Sequence, residues 1–235
     1  MTPPVVPDIG IGQPVAYPVE AAATVAKWAV RLHHDAARAA LQLVRDMVGN
    51  PEDVKRAVGA WRGAATGMNN AWSEEGLAHQ AIAGISAGEK GWEGPAYTAF
   101  NTYFTDLKTT TAGNQQVLIN LGKETATFYN TVLDTYRECV NFIFDCAQAV
   151  TAFFKSLDWE EVVAVVAAGA TFGASLLLLL KPMLDALDEM TENIQQRVDG
   201  FIQISGKFNT TLLNLSSESA GLASPPSVAE NVWGM

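Results

Sequence analysis

The placement of proline constrains this chain more than any other feature. Prolines stand at 3, 4, 7, 14, 18, 51, 95, 182, 225 and 226, so only Pro51, Pro95 and Pro182 fall between Pro18 and Pro225. Proline is tolerated in the first turn of a helix and breaks its interior. So sparse a distribution predicts a few very long helices. No segment shows strand alternation bounded by turns, so the chain reads as all-α. Gly49-Asn50-Pro51-Glu52-Asp53 marks one junction. Gly49 suits a helix stop, Asn50 an N-cap and Pro51 the first helical position, and the two acids complement the helix dipole.

Residues 1–17 read as a Pro-rich, unstructured lead. No positive charge precedes Lys27 and no compact apolar run is present, so the lead does not read as a secretory signal peptide. Residues 18–48 read as one helix, with Val25, Trp28, Leu32, Ala36, Ala39, Leu43 and Met47 spaced by three or four. Residues 51–87 read as a second helix weakened by Gly59, Gly63, Gly67, Gly76 and Gly84. Three glycines and a proline then punctuate residues 88–95, which read as a turn.

Residues 95–157 carry the strongest pattern. From Phe100, positions 104, 107, 111, 114, 118, 121, 125, 128, 132, 135, 139, 143, 146, 150, 153 and 157 alternate four-three spacing. All are apolar or cysteine except Thr111, Asn114, Thr125 and Thr135. A helix that long needs partner helices along its seam. Residues 158–215 read as a helical pair. Its first member holds an apolar run, 162–180, with no charge, and Lys181-Pro182 ends or kinks it. Its second carries Leu184, Leu187, Met190, Ile194, Val198, Phe201, Ile204, Phe208, Leu212 and Leu215 on one stripe. Residues 216–235 read as a flexible Ser- and Pro-rich tail. The expected architecture is an elongated helical bundle. Helices 18–48 and 51–87 cover one side of the long helix and the C-terminal pair covers the other. The bundle is closed within one chain or completed by dimerisation.

Charge and composition exclude several functions. Lys plus Arg is 15 against 25 for Asp plus Glu, a net charge of −10, so no basic footprint for nucleic acid is present. Two cysteines are too few for a disulfide scaffold. Cys139 and Cys146 are two helical turns apart, roughly 10 Å, beyond disulfide reach, and read as small buried residues.

Between the second and third helical patterns lies Trp92-Glu93-Gly94, with aromatic Tyr97 and Phe100 just after. Over residues 50–157 the sequence resembles the WxG-motif family of type VII (ESX-type) secretion substrates, in which a helical hairpin carries Trp-x-Gly at its bend. Glycine permits a tight reversal and a large indole plugs the open end where two helices diverge. The resemblance implies a hairpin turning at Trp92, Glu93 and Gly94. It implies export without a cleaved signal peptide, from a cytoplasmic precursor. The implied partners are the type VII machinery and a second WxG-like helical protein, as homodimer or heterodimer. The family's Tyr-x-x-x-Asp/Glu export signal has no full match here. Phe154-Lys155-Ser156-Leu157-Asp158 has its spacing with Phe in place of Tyr, so a partner supplies the signal or Phe154 and Asp158 form a variant of it. The plainer reading makes Phe154 a core residue and Asp158 an N-cap.

The 162–180 run is long enough to span a bilayer core of ~30 Å. Gly169 and Gly173 within it form a GxxxG, which lets two backbones approach closely. A buried bundle helix fits the same run. Gly84-Ile85-Ser86-Ala87-Gly88 copies a hydrolase pattern that works only on a strand-to-helix elbow, and here it ends a helix. His33 and His34 are adjacent and point about 100° apart on a helix, so they do not chelate together. No cofactor motif or nucleophile-base set appears. The expectation is a non-enzymatic secretion substrate or partner acting by helix–helix association. The competing reading is a membrane-inserting or pore-forming helical protein using 162–180.

Overall fold

A computed structural model describes residues 7–86, 94–156 and 172–221. Five helices cover most of them: α1 (Val19–Arg31), α2 (Asp35–Met47), α3 (Pro51–Ser86), α4 (Pro95–Ser156) and α5 (Phe172–Gly221). The protein is all-α, with no strand among the described residues. Two of the three interior prolines open helices, Pro51 after a left-handed Gly49 (φ +62°) and Pro95 after a left-handed Gly94 (φ +97°). The helices group into two compact units. One comprises Met1–Ile11, Glu52–Tyr129 and Gly206–Met235, the other Gly12–Pro51 and Asn130–Ser205, and α4 and α5 contribute residues to both.

The second unit packs α1 and α2 against the later half of α4 and the earlier half of α5. Its core joins Val25 and Ala29 of α1, Leu41 and Val44 of α2, Ile143 and Val150 of α4, and Leu187 and Ile194 of α5. Each fully buried valine, leucine or isoleucine side chain of this kind contributes about 1.5–3 kcal/mol by leaving water. The expected single helix 18–48 is broken here. His33 takes a left-handed conformation (φ +55°), His34 N–H donates to Ala29 C=O at 2.8 Å and His33 N–H to Val30 C=O at 3.2 Å. That pair of bonds is a Schellman stop, with histidine where glycine is usual. The break resets the helical phase. Leu43, placed on the expected stripe, is therefore exposed, while Ala37, Ala40 and Val44 are buried.

Pro182 does not end a helix either, since α5 runs from Phe172 through it to Gly221. A proline inside a helix removes one backbone bond and crowds the carbonyl four residues back. The helix persists because Met183 and Leu187, just beyond it, are anchored in the core at 1% and 0% exposure. Of the expected C-terminal stripe, Leu187, Met190, Ile194, Val198 and Leu215 are buried and Leu184, Phe201, Phe208 and Leu212 half-buried, whereas Ile204 is exposed. α5 also continues past the expected end at 215, taking Ser216, Ser217 and Glu218 into the helix on its exposed side.

The first unit holds α3, the early half of α4 and the end of α5. α3 and α4 run antiparallel in it. Trp61 lies by Gly122, Met68 shares a cavity with Asn114, and Lys55 and Glu52 act electrostatically on Tyr129. Val58 and Ala65 of α3 and Val117, Ile119, Ala126 and Tyr129 of α4 are buried. Phe128 of α4 stacks on Phe208 of α5, centroids 4.3 Å apart and planes 6° from parallel.

The described part of the lead has no helix or strand, yet it is tied down. In the first unit Ile9 reaches the buried Gly122, where an added Cβ would sit 3.0 Å from Ile9 Cδ1, and Asp8 pairs with Arg62. In the second unit Gly12 N–H donates to Asn130 Oδ1 at 2.9 Å and Tyr17 O–H donates to Leu41 C=O at 3.3 Å.

Candidate functional site

The turn motif is visible at its last residue. Gly94 is exposed and left-handed, and its carbonyl accepts from Thr98 N–H at 3.1 Å and from Thr98 Oγ at 3.3 Å. A side chain at this φ is strained whatever space surrounds it, so glycine is required by the backbone. The carbonyl opens the hydrogen-bond ladder of α4 directly after the motif. Trp92 and Glu93 lie outside the described residues.

On either side of the motif, the facing pairs of α3 and α4 are nested. Met68 with Asn114 is the inner pair, Trp61 with Gly122 the middle and Lys55 with Tyr129 the outer. Between these helices and the end of α5 opens an apolar cavity of about 460 Å³, lined by Trp61, Met68, Val117, Leu118, Leu121, Leu212 and Leu215. Trp61 is 36% exposed at its mouth. The Tyr129 hydroxyl is buried and makes no hydrogen bond among the described residues, and burial pushes its pKa up. The described part of the first unit thus presents an incompletely filled apolar helical surface, which is suited to association.

Phe154 is brought into the second unit and is not displayed. Its ring stacks on Trp28, with Phe153 edge-on to it and the Arg31 guanidinium 4.6 Å from the Trp28 centroid. Phe154 is half-buried and packs against the core of the second unit, while Asp158 lies outside the described residues. Gly169 lies outside them too, and Gly173 falls in the first turn of α5. No helix among the described residues is long and apolar enough to cross a membrane, and residues 162–171 of the apolar run are outside that set.

Reactive groups elsewhere are placed as structure. Gly84 to Ser86 are helical at the end of α3, so the hydrolase-like pattern has no strand leading into it there. Cys139 and Cys146 are buried free thiols, each pushed up to about 11 chiefly by that burial. His34, which the sequence leaves without a role, caps α2. Its Nδ1 accepts from Ala37 N–H at 3.1 Å and its Nε2 lies 2.8 Å from Asp188 Oδ1 of α5. A helix break between the adjacent histidines was the missing signal. Among the described residues no group of three or more His, Cys, Asp and Glu could hold a metal ion.

No family model, no curated protein and no solved structure matches this chain.

Proposed function

We propose that the chain is a non-enzymatic, WxG-like type VII secretion substrate or secretion-associated partner, acting through helix–helix association. One observation carries this reading: the α3 and α4 pairs nest about Trp92-Glu93-Gly94, and Gly94 holds the left-handed conformation that launches α4. On this reading the chain reverses at the motif, where an indole would close the diverging end. The open apolar cavity of the first unit supports a partner helix as the thing bound, and a WxG-like helical protein or a second copy would supply it. Export then proceeds from the cytoplasm without a cleaved signal. Because Phe154 is spent on the Trp28 stack, the partner supplies the export signal.

The test compares wild type with Trp92→Ala and Gly94→Val in the producing cell, scoring culture supernatant and co-purified helical partners. Both variants should accumulate inside and lose the partner. Secretion and partner recovery equal to wild type would refute the reading.

A further inference from the structure

One wall of the apolar cavity in the first unit is the end of a helix. Leu212, Leu215 and Ser216 of α5 line it, and α5 stops at Gly221, only about 7.5 Å of helix rise beyond Ser216. The chain after Gly221 therefore leaves from beside the cavity. At about 460 Å³ the cavity has roughly three times the ~150 Å³ that admits a benzene ring, so it has room for an indole and an aliphatic side chain together. Its apolar walls also carry two polar side chains, Asn114 and Ser216, and neither has a hydrogen-bond partner among the described residues. Trp61 stands half-exposed at the mouth. The occupant that suits these walls is a large aromatic group carrying one hydrogen-bond donor.

We propose that residues 228–235 of this same chain fold back and fill the cavity, with the Trp233 indole as the plug. The sequence after Gly221 reads Leu-Ala-Ser-Pro-Pro-Ser-Val-Ala-Glu-Asn-Val-Trp-Gly-Met. Pro225 and Pro226 cannot extend a helix, so the chain departs from the α5 axis there. Beyond them Val228 and Val232 stand four apart with Trp233 adjacent, and Glu230 is the one charged side chain. The stretch from Gly221 to Trp233 reaches up to about 40 Å when extended, whereas Leu212 lies only about 14 Å back along α5. The return is ample without strain. A buried indole N–H needs an acceptor, which Asn114 Oδ1 and Ser216 Oγ supply, and Trp61 supplies a ring to pack on. A tether this short also gives the tail an effective concentration in the millimolar range, which a separate helix does not have. The tail is thus a built-in competitor for the cavity, and a partner helix has to displace it. That competition rests on the helix-association reading. Docking of the tail is measured on the isolated chain with no partner, export or hairpin readout, so the two fail separately.

The experiment observes the full chain by fluorine NMR, with 5-fluorotryptophan at its six tryptophans. Trp233→Phe and Trp61→Phe assign two of the lines. Exchanging H2O for D2O shifts the line of an exposed indole and leaves that of a buried one in place. The wild-type Trp233 line should sit away from that of free fluorotryptophan, show little solvent shift and stay so on dilution, as an intramolecular contact does. Val228→Asp/Val232→Asp charges the tail without touching a described helix. It should send the Trp233 line to the free position with the full solvent shift and move the Trp61 line as well. It should also tighten binding of the neutral apolar dye 1-N-phenylnaphthylamine by about tenfold or more, because the tethered competitor is gone. A wild-type Trp233 line already at the free position would overturn the inference. So would a Trp61 line unmoved by the tail charges, or equal dye binding by the two chains. Protection of Trp233 that fades on dilution would overturn it too, by making a second copy the occupant.

Discussion

Trp28 and Phe154 lie face to face, ring centroids 4.0 Å apart and planes 19° from parallel. The stack ties the end of α1 to the end of α4, and Arg31 and Lys27 lie at 4.6 and 5.9 Å from the indole centroid. Stacked aromatic pairs contribute ~0.5–1.5 kcal/mol beyond the area they bury, and cation–π contacts at exposed sites ~0.5–1 kcal/mol. Phe154→Ala should therefore cost about 2–3 kcal/mol, less than a fully buried phenylalanine because the ring is half-buried. Urea denaturation checks it, and Trp28→Ala/Phe154→Ala should cost less than the two single losses together. Full additivity would mean that the rings stabilise the fold independently.

His34 joins two elements at once. Its Nδ1 accepts from Ala37 N–H and so carries no proton there, which leaves Nε2–H to donate to Asp188. His34→Ala loses cap and link together and should cost about 1–2 kcal/mol. His34→Asn can still cap α2 and should cost less. Asp188→Ala, which loses only the link, should match His34→Asn, as read by thermal melts of the three variants.

Both thiols titrate above their ordinary range, from 9.0 to about 11, because burial disfavours the thiolate. Below pH 9 folded and unfolded thiols are both neutral and the native state keeps its full stability. Between about 9 and 11 only the unfolded thiols ionise, so stability falls as pH rises, by roughly 2–3 kcal/mol per thiol. Tyrosines and lysines titrate nearby, so the readout is the difference between wild type and Cys139→Ala/Cys146→Ala, whose curve should lack this drop. Folded wild type should also react slowly with a thiol reagent at pH 8.

Pro182 sits inside α5 without ending it. Replacing it with alanine restores a backbone donor and relieves the crowding, so Pro182→Ala should stabilise the chain by about 1–3 kcal/mol. A loss of stability on calorimetry would mean that the proline shapes the helix in a way the core depends on.

The helix starts at Pro51 and Pro95 were legible because proline and a preceding glycine report backbone geometry directly. The later part of the seam on α4 was legible because Val132, Cys139, Ile143, Cys146 and Val150 repeat at the right spacing and are buried, whereas its earlier positions from Phe100 to Phe128 are only half-buried. A second stripe beside it was not. Gln115, Ile119, Gly122, Ala126, Tyr129, Leu133, Tyr136 and Val140 keep the same spacing and are all buried. Glutamine, glycine, alanine and tyrosine do not announce an apolar face, yet they allow close helix contact. The stop at His33 was hidden for a similar reason, since it uses neither glycine nor proline. Phe154 illustrates the limit for the candidate site. Its spacing from Asp158 is a local property, whereas its stack on Trp28 joins residues far apart in the chain and no spacing encodes that.

Everything proposed for function depends on α3 and α4 forming one hairpin that closes at Trp92-Glu93-Gly94. Spin labels at Ser73→Cys and Thr109→Cys, both exposed and on facing stretches of the two helices, measure this by dipolar spectroscopy. The buried Cys139 and Cys146 should stay unlabelled. A closed hairpin should give one narrow distance, about 10 Å of helix spacing plus the label arms. A distance of about 50 Å, that of thirty-six residues in an unreversed helical path at ~1.5 Å each, would contradict it.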